Sequence, residues 1–442
     1  MDKETLTRLD REHIKFIRVL WCDNANLIRG KAIHRKQLET YVTHGVGLTA
    51  AQQALPVMAD VVVPNSGLSP IGEVRLIPDL STLTCLPYAK NHARVMGDMI
   101  LNGQPWSCCP RDFLKRMIAR AKKAELEVMA AFENEFYLLN PDDFSPVDDT
   151  VFAATLSMDL QQATIDEISE ALIAQGLVVE LYHPESGPGQ QEISVLYTNA
   201  LAAADQQIVF RETVKAIARQ HQQIASFLPK IFLDSAGNGC HLHFSLWRDG
   251  KNILVDTENP GFLSLRGQSF LAGILKHLPA LMAITTPSVN SYRRLQPNCW
   301  SGAFRCWGYD HREAALRVPT NAVNPSPTHV ELKTVDASAN PYLALGSIIA
   351  AGLDGLKQNL NLGEPLTKVP TQLTEAESLE LAIEPLPNSL EISLEHLQDN
   401  TLILDALGQE LAQSYLAVKK AELQAMKDFS LQQEVELLLE RY

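Results

Sequence analysis

From residue 127 onward, runs with a two-residue apolar period take turns with runs of a 3.6-residue period, and this alternation limits the possible folds more than any other feature. Strands are expected near 127–139, 177–181, 190–196, 229–233 and 241–247, with short strands continuing to 334. Between and after them, helices are expected near 159–175, 200–225, 264–278, 340–360 and 401–427, with a Pro-, Glu- and Leu-rich surface excursion over 361–400. Interleaving at this scale predicts an α/β or α+β catalytic domain around a curved sheet. The first hundred residues read differently. Residues 14–33 give two apolar runs about a polar turn at Asp23–Asn26, a hairpin signature, followed by a polar helix near 35–44 and strands near 73–77 and 93–100. At NGQPWSCCP the text changes, and Arg111–Glu125 reads as an amphipathic helix entered after a proline. Two domains are expected, 1–105 and 106–442.

Composition narrows the function. Thirty-eight Lys and Arg against 52 Asp and Glu leave a net charge of −14, which excludes a general nucleic-acid binder that depends on a basic surface. The 7 cysteines show no paired CxxC spacing, which points to a reducing compartment. The start, MDKETLTRLDREH, does not resemble a signal or transit peptide, so a cytoplasmic enzyme is expected. The most apolar stretch, FLAGILKHLPALMAITTP, is interrupted by Lys276, His277 and Pro279 and reads as a buried helix and the strand after it, not a membrane span.

Side chains alternate across a strand, so Glu133 and Glu135 of FENEF share one face, as do His241, His243 and Ser245 of HLHFS. A wet strand face accounts for either pair alone. Glu185 and Glu192 flank the bend Ser186–Gln190, and Glu331 lies in a further period-two stretch, Glu331-Leu332-Lys333. Together these carboxylates, gathered in one cavity, would need counter-charge, because an unpaired buried ion costs on the order of several kcal/mol. Carboxylates with an imidazole suit Mg2+ or Mn2+ better than Zn2+. Arg293, Arg294, Arg312 and Arg317 supply planar partners for carboxylate or phosphate oxygens, a combination that suggests phosphoryl transfer from a nucleotide. No GxxxxGK[ST] or GxGxxG segment is present to hold that nucleotide.

In order, WCDNANLIRGKAI, GEVRLIPDLSTL, FENEFYLL, GPGQQEIS, GNGCHLHFSLW, NSYRRLQP, WGYDHREAALRVP and VELKTVDASANPYLALGSIIAAGLDGL resemble the motifs of the glutamine synthetase family of type I-like ligases, over nearly the whole chain. The resemblance implies an α+β fold, with an N-terminal β-grasp domain followed by a glutamine synthetase-type catalytic α/β barrel domain. It also implies ATP, two or more Mg2+ or Mn2+ ions, and a homo-oligomer of stacked rings, commonly a dodecamer. By resemblance, Glu135, Glu185 and Glu192 hold one ion beside the acid substrate, while Glu133, His241 and Glu331 hold the other beside the ATP phosphates. His243 and Ser245 match the nucleotide-contacting pair, Arg312 and Arg317 the phosphate-holding arginines, and Arg294 and Gly237 the positions that contact the acid. The implied reaction passes through an acyl phosphate to an amide.

Certain positions depart from the ammonia-using members. Trp300, in PNCWSG, stands where those members carry a flap glutamate that takes a proton from ammonium, and Gly47–Ala51 lacks their ammonium-binding aspartate. An indole suits an alkyl amine or alkylammonium instead. Lys333 replaces an arginine that forks the α-carboxylate of glutamate, and Ala236 replaces an asparagine. The leading expectation is therefore an ATP-dependent carboxylate-amine ligase that γ-glutamylates an amine other than ammonia. The competing readings are a glutamine synthetase with a modified ammonium site, a metal-dependent amidohydrolase and a non-catalytic scaffold. The amidohydrolase reading is weakened because its HxH lies near the start of its barrel, whereas His241 falls past the middle of this chain.

Overall fold

The computed structural model describes residue 7 and residues 9–256, 258–259, 261–320 and 329–442. Its first sheet comprises β1 (Phe16–Cys22), β2 (Ile28–His34), β3 (Val46–Thr49), β4 (Glu73–Cys85), β5 (His92–Leu101) and the short β6 (Gln104–Pro105). The strand order is β2-β1-β5-β4-β3, with β1 and β5 parallel at the centre and the remaining neighbours antiparallel. This mixed sheet and the helix Leu38–His44 form the expected β-grasp-like unit. The turn of the β1–β2 hairpin is buried despite its polarity. Asn24, Asn26 and the Asp23 carbonyl are satisfied by the other part of the chain, where Asn24 donates to Ser414 Oγ (2.9 Å), Asn26 to the Ala337 carbonyl (2.8 Å), and Asn340 to the Asp23 carbonyl (3.0 Å), while the Asp23 carboxylate accepts locally from the Ala25 and Leu27 amides and from Arg29. Buried polar groups without such partners would each cost about 1–3 kcal/mol, so the turn acts as a peg between the first sheet and the helices and loop that carry Ser414, Ala337 and Asn340.

The second sheet holds β7 (Glu127–Leu139), β8 (Val179–Pro184), β9 (Gln190–Val195), β10 (Thr198–Asn199), β11 (Ile224–Ser226), β12 (Cys240–Arg248), β13 (Lys251–Asn252), β14 (Phe304–Tyr309), β15 (Ala314–Val318) and β16 (Val330–Leu332). Its main order, β14-β15-β16-β12-β7-β9-β8, curls into a nearly closed barrel-like sheet. One face is apolar: Phe132, Phe136, Leu242, Phe244, Val330 and Leu332 join a core shared with the helices Pro110–Lys123, Ala200–Gln220, Leu265–Thr285 and Pro341–Gln358. The last two helices cross so closely that a Cβ on Gly355 would lie 2.0 Å from the Ser269 carbonyl oxygen, so only glycine fits there.

Several local expectations change. All but the last two residues of FLAGILKHLPALMAITTP lie within a single helix that runs through Pro279 to Thr285, with no strand directly after it. Proline usually ends a helix because it removes an N–H and crowds the preceding turn, but Leu278 and Ala280–Thr285 are buried, and their packing outweighs the lost bond. The strand expected near 229–233 is a loop, and the pairing falls earlier, at Ile224–Ser226. The helix expected over 401–427 breaks at Gly408 (φ +85°), and Leu431–Leu438 adds another. Within 361–400, Leu390–Asp399 is a helix that buries Leu390, Leu394 and Leu397, so the excursion is only partly on the surface. Among the described residues no helix is long and apolar enough to cross a membrane.

Candidate active site

Opposite the apolar face, strand register assembles a continuous row of charge. Glu192 on β9 pairs with Glu135 on β7, Glu133 pairs with His241 on β12, His243 pairs with Glu331 on β16, and Glu331 pairs with Arg317 on β15. Because alternate residues share a face, one register delivers all of these groups to one side of the sheet. A cavity of about 820 Å³ is lined by Glu133, Glu135, Glu185, Glu192, His241, Glu331, Gly237, Arg294, Arg312, Arg317, Lys333 and Trp300. A second cavity of about 420 Å³ contains His243 and Ser245, together with Tyr197, Trp247 and His329. Glu133 borders both. The candidate site residues thus divide between two chambers that meet at Glu133.

The ionisable groups are close enough to govern one another. His241 Nδ1 lies 3.0 Å from Glu133 Oε1, 3.3 Å from Glu331 Oε1 and 3.8 Å from Glu135 Oε1. Glu331 also pairs with Lys333 Nζ at 2.8 Å and Arg317 Nη1 at 2.9 Å. Burial opposes ionisation of Glu331, but Lys333 and then His241 and His243 hold its carboxyl far below the ordinary range. Glu133 is likewise held well down against burial, by His243 and His241. Glu192 behaves oppositely: burial, followed by repulsion from Glu133, Glu135, Glu185 and Glu331, pushes it up to about 10. Burial also raises Glu135, with Glu185 adding to it against His241 and the Gly239 amide. Repulsion among carboxylates is therefore felt most at Glu192 and Glu135, whereas Glu331 is matched by Lys333, His241 and His243.

Three groups of side chains bring ligand atoms within 4.8 Å of one another: Glu133, Glu135 and His241; Glu133, His243 and Glu331; and His183, Glu185 and Glu192. The six expected ligands share one cavity, but these clusters regroup them and add His183 and His243. Sequence reasoning missed His183, whose Nε2 lies 3.0 Å from Glu185 Oε1. Its signal was the period-two spacing of His183 and Glu185 across Pro184. A donor set of carboxylates and imidazoles with excess negative charge fits divalent cations, and a bound cation would offset the repulsion that raises Glu192.

Around the acid end, Gly239 N–H donates to Glu135 Oε2 (2.8 Å), and Gln190 Nε2 donates to the Gly237 carbonyl (3.1 Å) and Asn238 Oδ1 (2.9 Å). Gly237 packs directly on Arg294, where an added Cβ would lie 2.6 Å from Arg294 Cγ. Arg294 Nη2 donates to the Lys333 and Val335 carbonyls (3.2 and 3.1 Å), while its Nε is buried without a partner among the described residues. At the mouth, Trp300 is 57 % exposed, and the acid beside it, Glu313, has both oxygens committed to the amides of Asn298 and Trp300. The mouth thus presents an indole whose neighbouring Glu313 carboxylate is engaged by backbone amides.

Residues 107–438 match the family described as glutamine synthetase, catalytic domain, and residues 4–106 match that described as glutamine synthetase N-terminal domain. The chain is 33 % identical to type-1 glutamine synthetase 1 of Dictyostelium discoideum, across 100 % of this chain and 92 % of the relative. It is 36 % identical to gamma-glutamylpolyamine synthetase GlnA3 of Streptomyces coelicolor, across 91 % and 88 %. Among solved structures, one described as a GmaS/ADP complex superposes with a TM-score of 0.86 at 27 % identity, covering 98 % of each chain. The chain belongs to the glutamine synthetase family, whose members are ATP-dependent ligases that use divalent metals and form carbon–nitrogen bonds.

Proposed function

We propose that this chain joins the γ-carboxylate of glutamate to a primary amine larger than ammonia, at the expense of ATP. The observation that carries the reading is the contrast between a carboxylate-rich cavity suited to metal and phosphate and a mouth where Trp300 stands in place of a proton-accepting glutamate. In this reading His243 and Ser245 face the nucleotide in the smaller chamber, and Arg312 and Arg317 hold the phosphate oxygens. Arg294, Gly237, Glu135, His241 and Lys333 surround the acid. Glu135, Glu185 and Glu192 with His183, and Glu133, His241 and Glu331 with His243, are the groups that would hold two or more Mg2+ or Mn2+ ions. Such ions, when bound, neutralise phosphate and carboxylate oxygens. The glutamate carboxylate attacks the γ-phosphorus and ADP leaves; the neutral amine nitrogen then attacks the acyl carbon, and phosphate leaves with the proton that the nitrogen sheds. The side chains contribute positioning and charge, and not covalent chemistry. We further propose a homo-oligomer of stacked rings, a dodecamer, as the working assembly.

Trp300 offers apolar surface and a π face, worth about 0.5–2 kcal/mol for a cation placed over it, and it favours a substituted amine over ammonium. The relatives named glutamine synthetase support a second reading, in which ammonia itself is the acceptor. Phosphate release from ATP decides between them. The proposal expects release that requires glutamate and an alkyl or polyamine together; strong turnover with ammonium and glutamate alone would replace it with the second reading.

A further inference from the structure

The loop that carries Trp300 is not relaxed. Asn298 (φ +61°) and Trp300 (φ +54°) both occupy the left-handed region, where a bulky side chain is a conformational outlier. Such a geometry persists only where surrounding structure over-determines it. The restraint comes from Glu313, in the turn between β14 and β15 and only 8 % exposed. Its Oε1 accepts the Trp300 amide at 2.8 Å, and its Oε2 accepts the Asn298 amide at 3.1 Å. Among the described residues no Lys, Arg or His forms an ion pair with Glu313, so a buried carboxylate is satisfied here by two backbone donors. The flanks are tied elsewhere. Thr371 Oγ1 donates to Asn298 Oδ1 (2.9 Å), Ser301 Oγ donates to the Gln296 carbonyl (2.8 Å), and Gly302 packs so tightly that a Cβ would lie 3.0 Å from Lys333 Cβ.

We propose that Glu313 is a positioning residue for the acceptor: its carboxylate holds the 297–302 loop in the strained conformation that presents Trp300 at the cavity mouth, and thereby sets the preference among amines. This rests on the proposed function, in which Trp300 is the acceptor surface. Glu313 acts through the Asn298 and Trp300 amides and does not line the large cavity, so its removal selectively weakens use of the amine.

The test compares Glu313→Gln, which keeps the shape and one acceptor oxygen, with Glu313→Asp and Glu313→Ala. Initial rates of phosphate release are measured over ammonium, methylamine, a longer alkyl amine and a diamine. In parallel, acrylamide quenching of tryptophan fluorescence is read as the difference from Trp300→Phe, which removes the contribution of the half-buried Trp247; Trp300 is 57 % exposed, whereas Trp21, Trp106 and Trp307 are at most 6 % exposed. The expected result is an amine KM raised about tenfold in Glu313→Gln and further in Glu313→Ala, with ATP and glutamate KM within about twofold of the parent. The Trp300 contribution to quenching should change in the same order, with partial rescue in Glu313→Asp. Unchanged amine KM and quenching, or a parallel rise in all three KM values, would overturn the proposal. If the parent uses no amine beyond ammonium, the proposed function fails, and the quenching series alone decides whether Glu313 holds Trp300.

Discussion

Replacing Glu192 by Gln should stabilise the metal-free protein while weakening its response to metal. Glu192 is 6 % exposed, and burial together with four neighbouring carboxylates raises it from 4.5 to about 10. Between those values the folded chain keeps a proton that the unfolded chain has released, so stability falls as pH rises through the window, by about 1.4 kcal/mol per unit. At pH 7.5 the window has been entered by about 3 units, which gives a penalty of roughly 4 kcal/mol as an upper bound. An unfolding entropy near 2.1 cal/mol/K per residue over 442 residues is about 0.9 kcal/mol/K, so the relief amounts to about 4 °C in Tm. In EDTA, differential scanning fluorimetry should therefore place Glu192→Gln above the parent at pH 7.5, with the gap closing toward pH 4.5. With saturating Mn2+ the gap should narrow, because the parent gains ligand-linked stability of about 2.7 kcal/mol at 100 times Kd and the variant, which has lost a ligand, gains less. A variant less stable than the parent in EDTA at pH 7.5, or one that gains as much from Mn2+, would refute the charge argument.

Trp300→Glu should improve the use of ammonium relative to alkyl amines, read as the ratio of kcat/KM values; uniform loss with every acceptor would show that the pocket argument is too simple. Gly237→Ala should raise glutamate KM by about tenfold or more with little change in ATP KM, because the new methyl, 2.6 Å from Arg294 Cγ and 2.5 Å from the Pro229 carbonyl, must displace the Arg294 side chain. An unaltered glutamate KM would remove Gly237 and Arg294 from the acid pocket.

The chemistry-bearing faces were readable because alternation in FENEF and HLHFS is local, and a two-residue period states which side chains lie together. Which strand lies beside which was not readable from that period. The pairing of Glu135 with Glu192, and of His243 with Glu331, is set by long-range register, and it regroups the expected ligand sets. Pro279 misled because a local helix breaker was overruled by burial on both sides of it. His183 was passed over because Pro184 interrupts the strand pattern before Glu185. Glu313 escaped notice for a different reason. Its partners are backbone amides, which leave no trace in residue type.

The row of paired residues across β9, β7, β12, β16 and β15 also bears on how such a molecule can change. Losing or gaining one residue inside β7 would turn Glu133 and Glu135 into the core and send Phe132 and Phe136 to the charged side, so this half of the centre tolerates substitution far better than length variation. The acceptor end hangs on the loop 297–302, outside any strand, where the exposed Trp300 side chain can be exchanged without shifting a single ladder bond. Phosphoryl chemistry is thereby locked into the sheet while the choice of nitrogen nucleophile is left to a connection. A lineage built this way can try new amines repeatedly without risking its ability to activate a carboxylate.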